Sequence, residues 1–144
     1  HPWGAARLLS YLTVGQIFAR FPNLNAGAAE VGHGWLPHWL IRLEEMCNYV
    51  AGTTPTLKYK PIEYAQMGRF RCGAEPFEGP AMTKACNDIL GTNALMHQSD
   101  YPHNETHFPD TAEMVIDWPF WKEMGGDALE KHMSGNAEQF LRLV

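Results

Sequence analysis

The sequence predicts an α/β fold in which three parallel strands are joined by crossover helices. Segments with apolar residues at helical spacing alternate with short apolar or small-residue runs bounded by glycine and proline. The order is helix, strand, helix, strand, helix, strand and then helices, and this alternation is typical of a parallel sheet. With 144 residues, the chain suits a single domain, residues 1–144.

The first helix and strand come from the N-terminal part of the chain. Residues 5–19 carry apolar side chains at helical spacing, and Pro22 ends the helix because proline disfavours a helical residue before it. The small-residue run 24–30 is ambiguous between strand and helix on its own. Its length and the glycines that follow it favour a buried strand that runs into a loop.

Two further helix–strand units follow. Pro37 starts a helix over 37–49, and 69–74 is the second predicted strand. Gly91 ends a helix over 81–90, and the third strand follows it. The third predicted strand is 94–99, and the other predicted helices are 62–67, 112–117, 120–124, 128–132 and 137–143.

Three strands are too few to close a barrel, which needs eight strands and typically about 250 residues. The outer strands of such a sheet would expose open edges. We therefore expect a partial (β/α) barrel domain that is completed by another chain or by an N-terminal segment. A larger open fold with further strands is the alternative.

Composition excludes several classes of function. The net charge is −5 and no basic stripe is present, which disfavours nucleic-acid binding. No apolar run reaches the roughly 18 residues that a membrane helix needs. Three cysteines at irregular spacing fit no zinc motif and indicate reduced thiols. We expect a cytoplasmic protein without membrane contact.

Asp100 is the strongest candidate for a catalytic residue because it follows the third predicted strand. In barrels, catalytic groups lie at the carboxyl ends of the strands. A bound metal lowers the pKa of its water toward about 7, and a nearby carboxylate can then act as a base. A helix N-cap or turn aspartate is the alternative interpretation.

Three segments in register carry a family resemblance. They are IFARFPNLNAGAAEVGHGWLPHWLIRLEE at 17–45, HQSDYPH at 97–103 and GNAEQFLRL at 135–143. Together they resemble the amidohydrolase-related family (amidohydrolase family 2), which includes aminocarboxymuconate semialdehyde decarboxylase and resorcylate decarboxylases. The resemblance implies the C-terminal portion of a TIM (β/α)8 barrel, about strands 6–8 with their helices. Strands 1–5 lie outside this match.

The resemblance also implies a metal site. Such barrels take ligands from a His-x-His on strand 1, a His on strand 5 and an Asp on strand 8, the last corresponding to Asp100. Glu30 stands where many members have a strand-6 histidine, so Asp100 and Glu30 are the predicted metal ligands. The expected cofactor is one divalent ion, zinc first and manganese second. Glu30 could instead pair with an arginine from the missing half.

Four further residues are predicted to contact substrate: His103, His33, Trp35 and Glu75. A loop histidine packed on Tyr101 is the alternative for His103, and a surface carboxylate is the alternative for Glu75. Trp35 also suits packing of the second long helix onto the barrel.

The resemblance implies a metal-dependent hydrolase or decarboxylase. Its reaction would be hydrolysis of a C–N or C–C bond, or non-oxidative decarboxylation of an aromatic or muconate-like acid. Its substrate would be a small carboxylic acid or amide, and its partner a second chain carrying the N-terminal barrel half in an oligomer. The alternative is a non-catalytic subunit that completes a split barrel in a hetero-oligomer. A third reading is a self-sufficient domain that binds a small ligand.

Overall fold

The computed structural model describes residues 1–53, 56–104 and 106–143. The strands are β1 (Ala26–Ala28), β2 (Phe70–Ala74) and β3 (Leu95–His97). The helices are α1 (Pro2–Thr13), α2 (Ile17–Arg20), α3 (Trp35–Tyr49), α4 (Pro61–Gln66), α5 (Gly79–Leu90), α6 (Thr111–Ile116), α7 (Trp121–Met124), α8 (Ala128–Glu130) and α9 (Asn136–Leu141). A 3₁₀ turn at Pro76–Glu78 precedes α5, and a π-helical turn at Lys131–Gly135 joins α8 to α9. None of the helices within these ranges has the length and apolarity needed to traverse a bilayer.

The three strands form one parallel sheet in the order β1-β2-β3, which confirms the predicted alternation. The central strand β2 is buried along its whole length. In the register, Gly27 lies beside Arg71 and Gly73 beside Met96. Because all three strands are parallel, their carboxyl ends meet at one edge of the sheet. The loops after β1, β2 and β3 therefore converge there.

One face of the sheet packs against the helices and forms the core. Side chains alternate between the two faces of a strand, so the alternate positions of β2 point toward the helices. The buried cluster on this side is Leu9, Leu12, Phe18, Leu36, Leu40, Tyr64, Ala65, Phe70, Cys72, Ala74, Cys86, Leu90, Ala94 and Leu95. It draws on α1 to α5, so the crossover helices anchor the sheet.

The opposite face carries Gly27, Arg71 and Gly73, and α9 lies against part of it. Arg71 Nη2 donates to Gln139 Oε1 at 2.9 Å. A Cβ at Gly27 would come within 3.2 Å of the Phe140 ring, so glycine permits this close approach. In a closed barrel this face lines the interior.

The two outer strands each pair with β2 alone within the described ranges. On β3, Asn136 Nδ2 donates to the carbonyl oxygens of Leu95, at 2.8 Å, and Thr92, at 2.7 Å. The side chain thus satisfies backbone acceptors beside the outer strand that have no strand partner there.

Two sequence predictions of secondary structure need correction. The single helix predicted over 5–19 is two helices, because Gln16 adopts φ 60 and a Cβ at Gly15 would collide with the Tyr11 carbonyl oxygen. The first strand begins later than predicted, at Ala26, and it ends earlier because Glu30, with φ 58, leaves the extended conformation. Both breaks depend on single left-handed residues, which apolar periodicity does not register.

Candidate metal centre

The structure brings Glu30, Asp100 and His103 together at the carboxyl edge of the sheet. Glu30 follows β1, Asp100 follows β3, and His103 lies in the turn after Asp100. One potential ligand atom from each residue lies within 4.8 Å of the others. Oxygen and imidazole nitrogen donors of this kind suit divalent manganese or zinc. The donor set therefore fits the metal that the sequence resemblance implies.

Both carboxylate residues have a left-handed backbone, with φ 58 at Glu30 and φ 59 at Asp100. A non-glycine residue in this region costs about 1 kcal/mol or more and persists where its surroundings fix it. These two positions lie in the loops, two residues after the end of β1 and three after the end of β3. The left-handed turn thus occurs at both carboxylates that could hold the metal.

His103 orients Asp100. His103 Nδ1 donates to Asp100 Oδ1 at 2.9 Å, and the His103 amide donates to the Asp100 carbonyl oxygen at 2.9 Å. The Asp100 side chain is 9% exposed, whereas that of His103 is 56% exposed. A carboxylate oxygen accepts in such a contact, so the ring nitrogen is the donor.

These residues line a cavity of about 600 Å³. Its wall includes four carboxylates, and these are Glu30, Glu75, Glu78 and Asp100. His1, Trp35 and His103 also contribute, whereas no lysine or arginine is found among its described lining residues. The cavity therefore has a negative field that favours a cation.

Glu75 lies in the cavity wall between the other two loops and is 4% exposed. Its Oε2 accepts from the Gly32 amide at 3.2 Å, and its Oε1 accepts from Gln98 Nε2 at 3.1 Å. Burial raises the pKa of the Glu75 carboxyl, and the negative charges of Asp100 and Glu78 raise it further. The alternative interpretation of Glu75 as a surface carboxylate is thus wrong, because the residue is buried and has two fixed partners.

Glu78 is a site residue that the sequence analysis missed. Its Oε2 accepts from the backbone amides of His33, at 2.6 Å, and Gly34, at 2.8 Å. Burial acts to raise the pKa of the Glu78 carboxyl, but the His33 side chain and these amides outweigh it and hold the pKa at about 2. The only sequence signal is an acidic residue three positions after Glu75, which is too common to single it out.

His33 lies outside the cavity, so the structure does not support the predicted substrate contact. Its side chain is fully buried, with Nδ1 2.7 Å from Glu78 Oε2 and Nε2 3.0 Å from Thr83 Oγ1. The Thr83 hydroxyl lies 3.1 Å from the Gly79 carbonyl oxygen and donates to it. That leaves the hydroxyl oxygen to accept from His33. Both ring nitrogens of His33 thus contact residues that hold the loop, and neither faces the cavity.

Trp35 lines the cavity and also packs against the core cluster, so both predicted roles are compatible with its position. Its indole N–H donates to the Gly32 carbonyl oxygen at 3.0 Å. The tryptophan thereby fixes the same loop that carries Glu30. Of the six predicted site residues, the structure brings Glu30, Trp35, Glu75, Asp100 and His103 to one cavity and places His33 behind it.

Neither a family model nor a curated protein matches this sequence. Solved structures do match. The chain is similar to 5-carboxyvanillate decarboxylase from Sphingomonas paucimobilis, with 25% identity and a TM-score of 0.73 over 96% of this chain and 39% of that one. It is similar to 2,6-dihydroxybenzoate decarboxylase from Rhizobium, with 16% identity and a TM-score of 0.71 over 96% of this chain and 41% of that one.

A third similar structure is an amidohydrolase from Mycobacterium avium subsp. paratuberculosis K-10, with 21% identity and a TM-score of 0.68 over 92% of this chain and 32% of that one. The chain thus spans about two fifths of the length of the decarboxylases that it matches. These matches confirm the predicted fold: the chain has the architecture of the C-terminal part of an amidohydrolase-type TIM barrel.

Proposed function

We propose that this chain supplies the C-terminal half of the active site of a metal-dependent enzyme of the amidohydrolase superfamily. The favoured reaction is non-oxidative decarboxylation of an aromatic or muconate-like acid. Hydrolysis of a C–N or C–C bond is the second candidate, and the similarity to an amidohydrolase supports it. The observation that carries the proposal is the convergence of Glu30, Asp100 and His103 within 4.8 Å at the carboxyl edge of a barrel sheet.

Glu30, Asp100 and His103 would hold one divalent cation. Structures of two similar decarboxylases contain manganese, one of them a 5-carboxyvanillate decarboxylase and the other a dihydroxybenzoic acid decarboxylase. We therefore propose manganese first, and zinc, which the family resemblance suggested, second. When bound, such an ion supplies a Lewis acid that polarises a substrate oxygen.

Asp100 is the proposed proton-transfer group. In decarboxylation its carboxylate would take up a proton from solvent and deliver it to the carbon that loses CO₂, and in hydrolysis it would accept a proton from the attacking water. The hydrogen bond from His103 holds Oδ1 and leaves Oδ2 to face the cavity or the cation. Trp35 and Glu75 border the space in which the substrate would lie.

A carboxylic acid substrate needs more positive charge than this half of the cavity provides. Four carboxylates line it and the described lining residues include no lysine or arginine. A substrate carboxylate would be repelled unless the cation and basic groups from the rest of the barrel offset that charge. The proposal therefore requires the strands that bear the remaining ligands.

Those strands would pair with β1 and β3, whose outer edges have no strand partner within the described ranges. They could belong to a second chain in an oligomer or to an N-terminal segment of the same protein. A cytoplasmic location agrees with the reduced cysteines that the sequence predicts. The alternative proposal is a non-catalytic barrel half, favoured by a glutamate at position 30 where many family members have histidine.

The test is a metal assay on the purified protein together with anything that copurifies. We expect about one manganese or zinc per chain, lost in Asp100→Ala and retained in Asp117→Ala, a control at an exposed aspartate distant from the cavity lining. A stable, metal-free complex would refute the enzyme and favour the non-catalytic barrel half.

A further inference from the structure

The loop that presents Glu30 is held from behind by acidic side chains of the next strand's loop. This loop, residues 29–34, joins β1 to α3, and consecutive backbone amides at Gly32, His33 and Gly34 all point to carboxylates. A Cβ at Gly32 would lie 2.6 Å from Glu78 Oε1, so the carboxylate packs directly on the backbone. Backbone amides bound in this way fix the loop's position and direction.

Glu75 connects the two loops that carry the proposed ligands. Its Oε2 accepts from Gly32, two residues after Glu30, and its Oε1 accepts from Gln98, two residues before Asp100. A Cβ at Gly73 would collide with Gln98 Oε1, so Gln98 can reach Glu75 only because residue 73 is glycine. One buried carboxylate thus sets the separation of two chain segments from different ends of the sequence.

Glu78 and His33 anchor the same loop to α5. Glu78 Oε2 lies within 2.8 Å of three nitrogens: the amides of His33 and Gly34 and the His33 ring Nδ1. The ring in turn reaches Thr83 on α5 through Nε2. His33 therefore ties the loop to the helix that follows β2, and it does so with no exposure to the cavity.

We propose that Glu75, Glu78 and His33 are positioning residues that hold Glu30 opposite Asp100 at the separation a divalent cation requires. This inference rests on the proposed metal site. Residues behind metal ligands orient them, and their loss typically weakens metal affinity by about 10- to 100-fold. From the sequence, His33 and Glu75 are both predicted to contact substrate. In the structure His33 contacts only the loop and α5, whereas Glu75 fixes the loop and also lines the cavity.

Titration of the purified protein with Mn²⁺ tests this inference. Calorimetry measures the affinity, and the EPR spectrum of bound Mn²⁺ reports its coordination. His33→Asn keeps a donor near the position of Nδ1 and hence the contact to Glu78, whereas His33→Gln keeps only the contact to Thr83. We expect His33→Asn to retain Mn²⁺ affinity and His33→Gln to lose about tenfold with a changed EPR line shape. Thr83→Val, which removes the Thr83 contact alone, should lower stability without changing Mn²⁺ affinity.

A second pair of variants keeps the test valid if the His33 variants do not fold. Glu75→Gln preserves both hydrogen bonds after rotation of the Gln98 amide, whereas Glu75→Leu removes both. A positioning role predicts near-normal Mn²⁺ affinity for Glu75→Gln and about tenfold weaker binding for Glu75→Leu. Equal losses in the two variants would make Glu75 a ligand or charge partner and overturn the inference.

The outcomes separate this inference from the proposed function. Wild-type protein that binds no Mn²⁺ overturns the metal site and this inference with it. Wild-type binding that His33→Gln and Glu75→Leu leave unchanged overturns the inference alone. Equal weakening by Thr83→Val and His33→Gln also overturns it, because general loosening of the loop would then explain both.

Discussion

Two buried histidines in this protein have opposite surroundings. His33, behind the candidate metal centre, faces the Glu78 carboxylate and the Thr83 hydroxyl. His132, in the π-helical turn beneath β3, packs on the Trp121 ring at 4.9 Å and near the His97 ring at 6.2 Å. Among the described residues His132 forms no ion pair, whereas His33 Nδ1 lies 2.7 Å from Glu78 Oε2. His33 is buried beside a carboxylate and anchors a loop. His132 is buried without a carboxylate, and its ring stays neutral.

The His132 environment is reflected in its pKa. Burial, together with the nearby His97 and His33, lowers the pKa of His132 to about 3. Burial also lowers the pKa of His97. The C-terminal helical region is therefore packed around neutral imidazoles, whereas the loop at the candidate site is organised around a carboxylate with a lowered pKa.

At neutral pH, removal of Glu78 should have the largest effect on stability. Glu78→Ala leaves the buried His33 ring without its carboxylate and two backbone amides without an acceptor. Breaking a buried pair by removing one partner costs roughly 3–5 kcal/mol. We expect a loss toward the lower end of that range, because the Glu78 side chain is 23% exposed. Urea unfolding measures it, with the exposed Glu123→Ala as control, and a loss as small as that of the control would contradict the anchoring role.

Acid should destabilise the folded protein through His132. An unfolded histidine has a pKa near 6.5, whereas folded His132 titrates near 3, so only the unfolded state gains the proton between these values. Stability should therefore fall by about 1.4 kcal/mol per pH unit as the pH drops below about 6.5, and the loss should level off near pH 3.

His132→Phe tests this acid sensitivity because it fills the same space without a titratable group. The pH dependence of the urea midpoint should become flatter between pH 6.5 and 4 in this variant. His38→Phe, at an exposed position of α3, is the control and should keep the wild-type slope. A wild-type slope in His132→Phe would show that this ring is not the acid-sensitive group.

The same comparison shows what the sequence could and could not predict. Strand order and the convergence of Glu30 and Asp100 follow from hydrophobic alternation and from the family resemblance. The role of His33 could not be predicted from the sequence, because its partner Glu78 is 45 residues away and only the fold brings the two residues together. His132 falls in the predicted helix 128–132, but the sequence does not show that its ring is buried.

Asn136, four residues after His132, gives a smaller expected effect. Its amide nitrogen donates to Thr92 and Leu95, two backbone acceptors beside the outer edge of β3. Asn136→Ala leaves these carbonyls unpaired or open to water, at a cost of about 1–3 kcal/mol. Hydrogen exchange of α9 amides should accelerate, while Asn48→Ala, at an exposed position in α3, should leave it unchanged. Unaltered exchange in Asn136→Ala would mean that α9 is held by Phe140 and Arg71 rather than by the edge of β3.

The smallest effect belongs to a charge pair on the surface. Lys84 Nζ lies 2.8 Å from Asp88 Oδ2 one turn along α5, a distance close to that between His33 and Glu78. Both side chains are exposed, at 36% and 50%, so water already solvates them. An exposed pair at this helical spacing contributes little to stability, because water screens both charges. Asp88→Ala should therefore shift the urea midpoint only slightly, and the shift should vanish at high salt. A loss comparable with that of Glu78→Ala would show that distance rather than burial determines what a carboxylate contributes here.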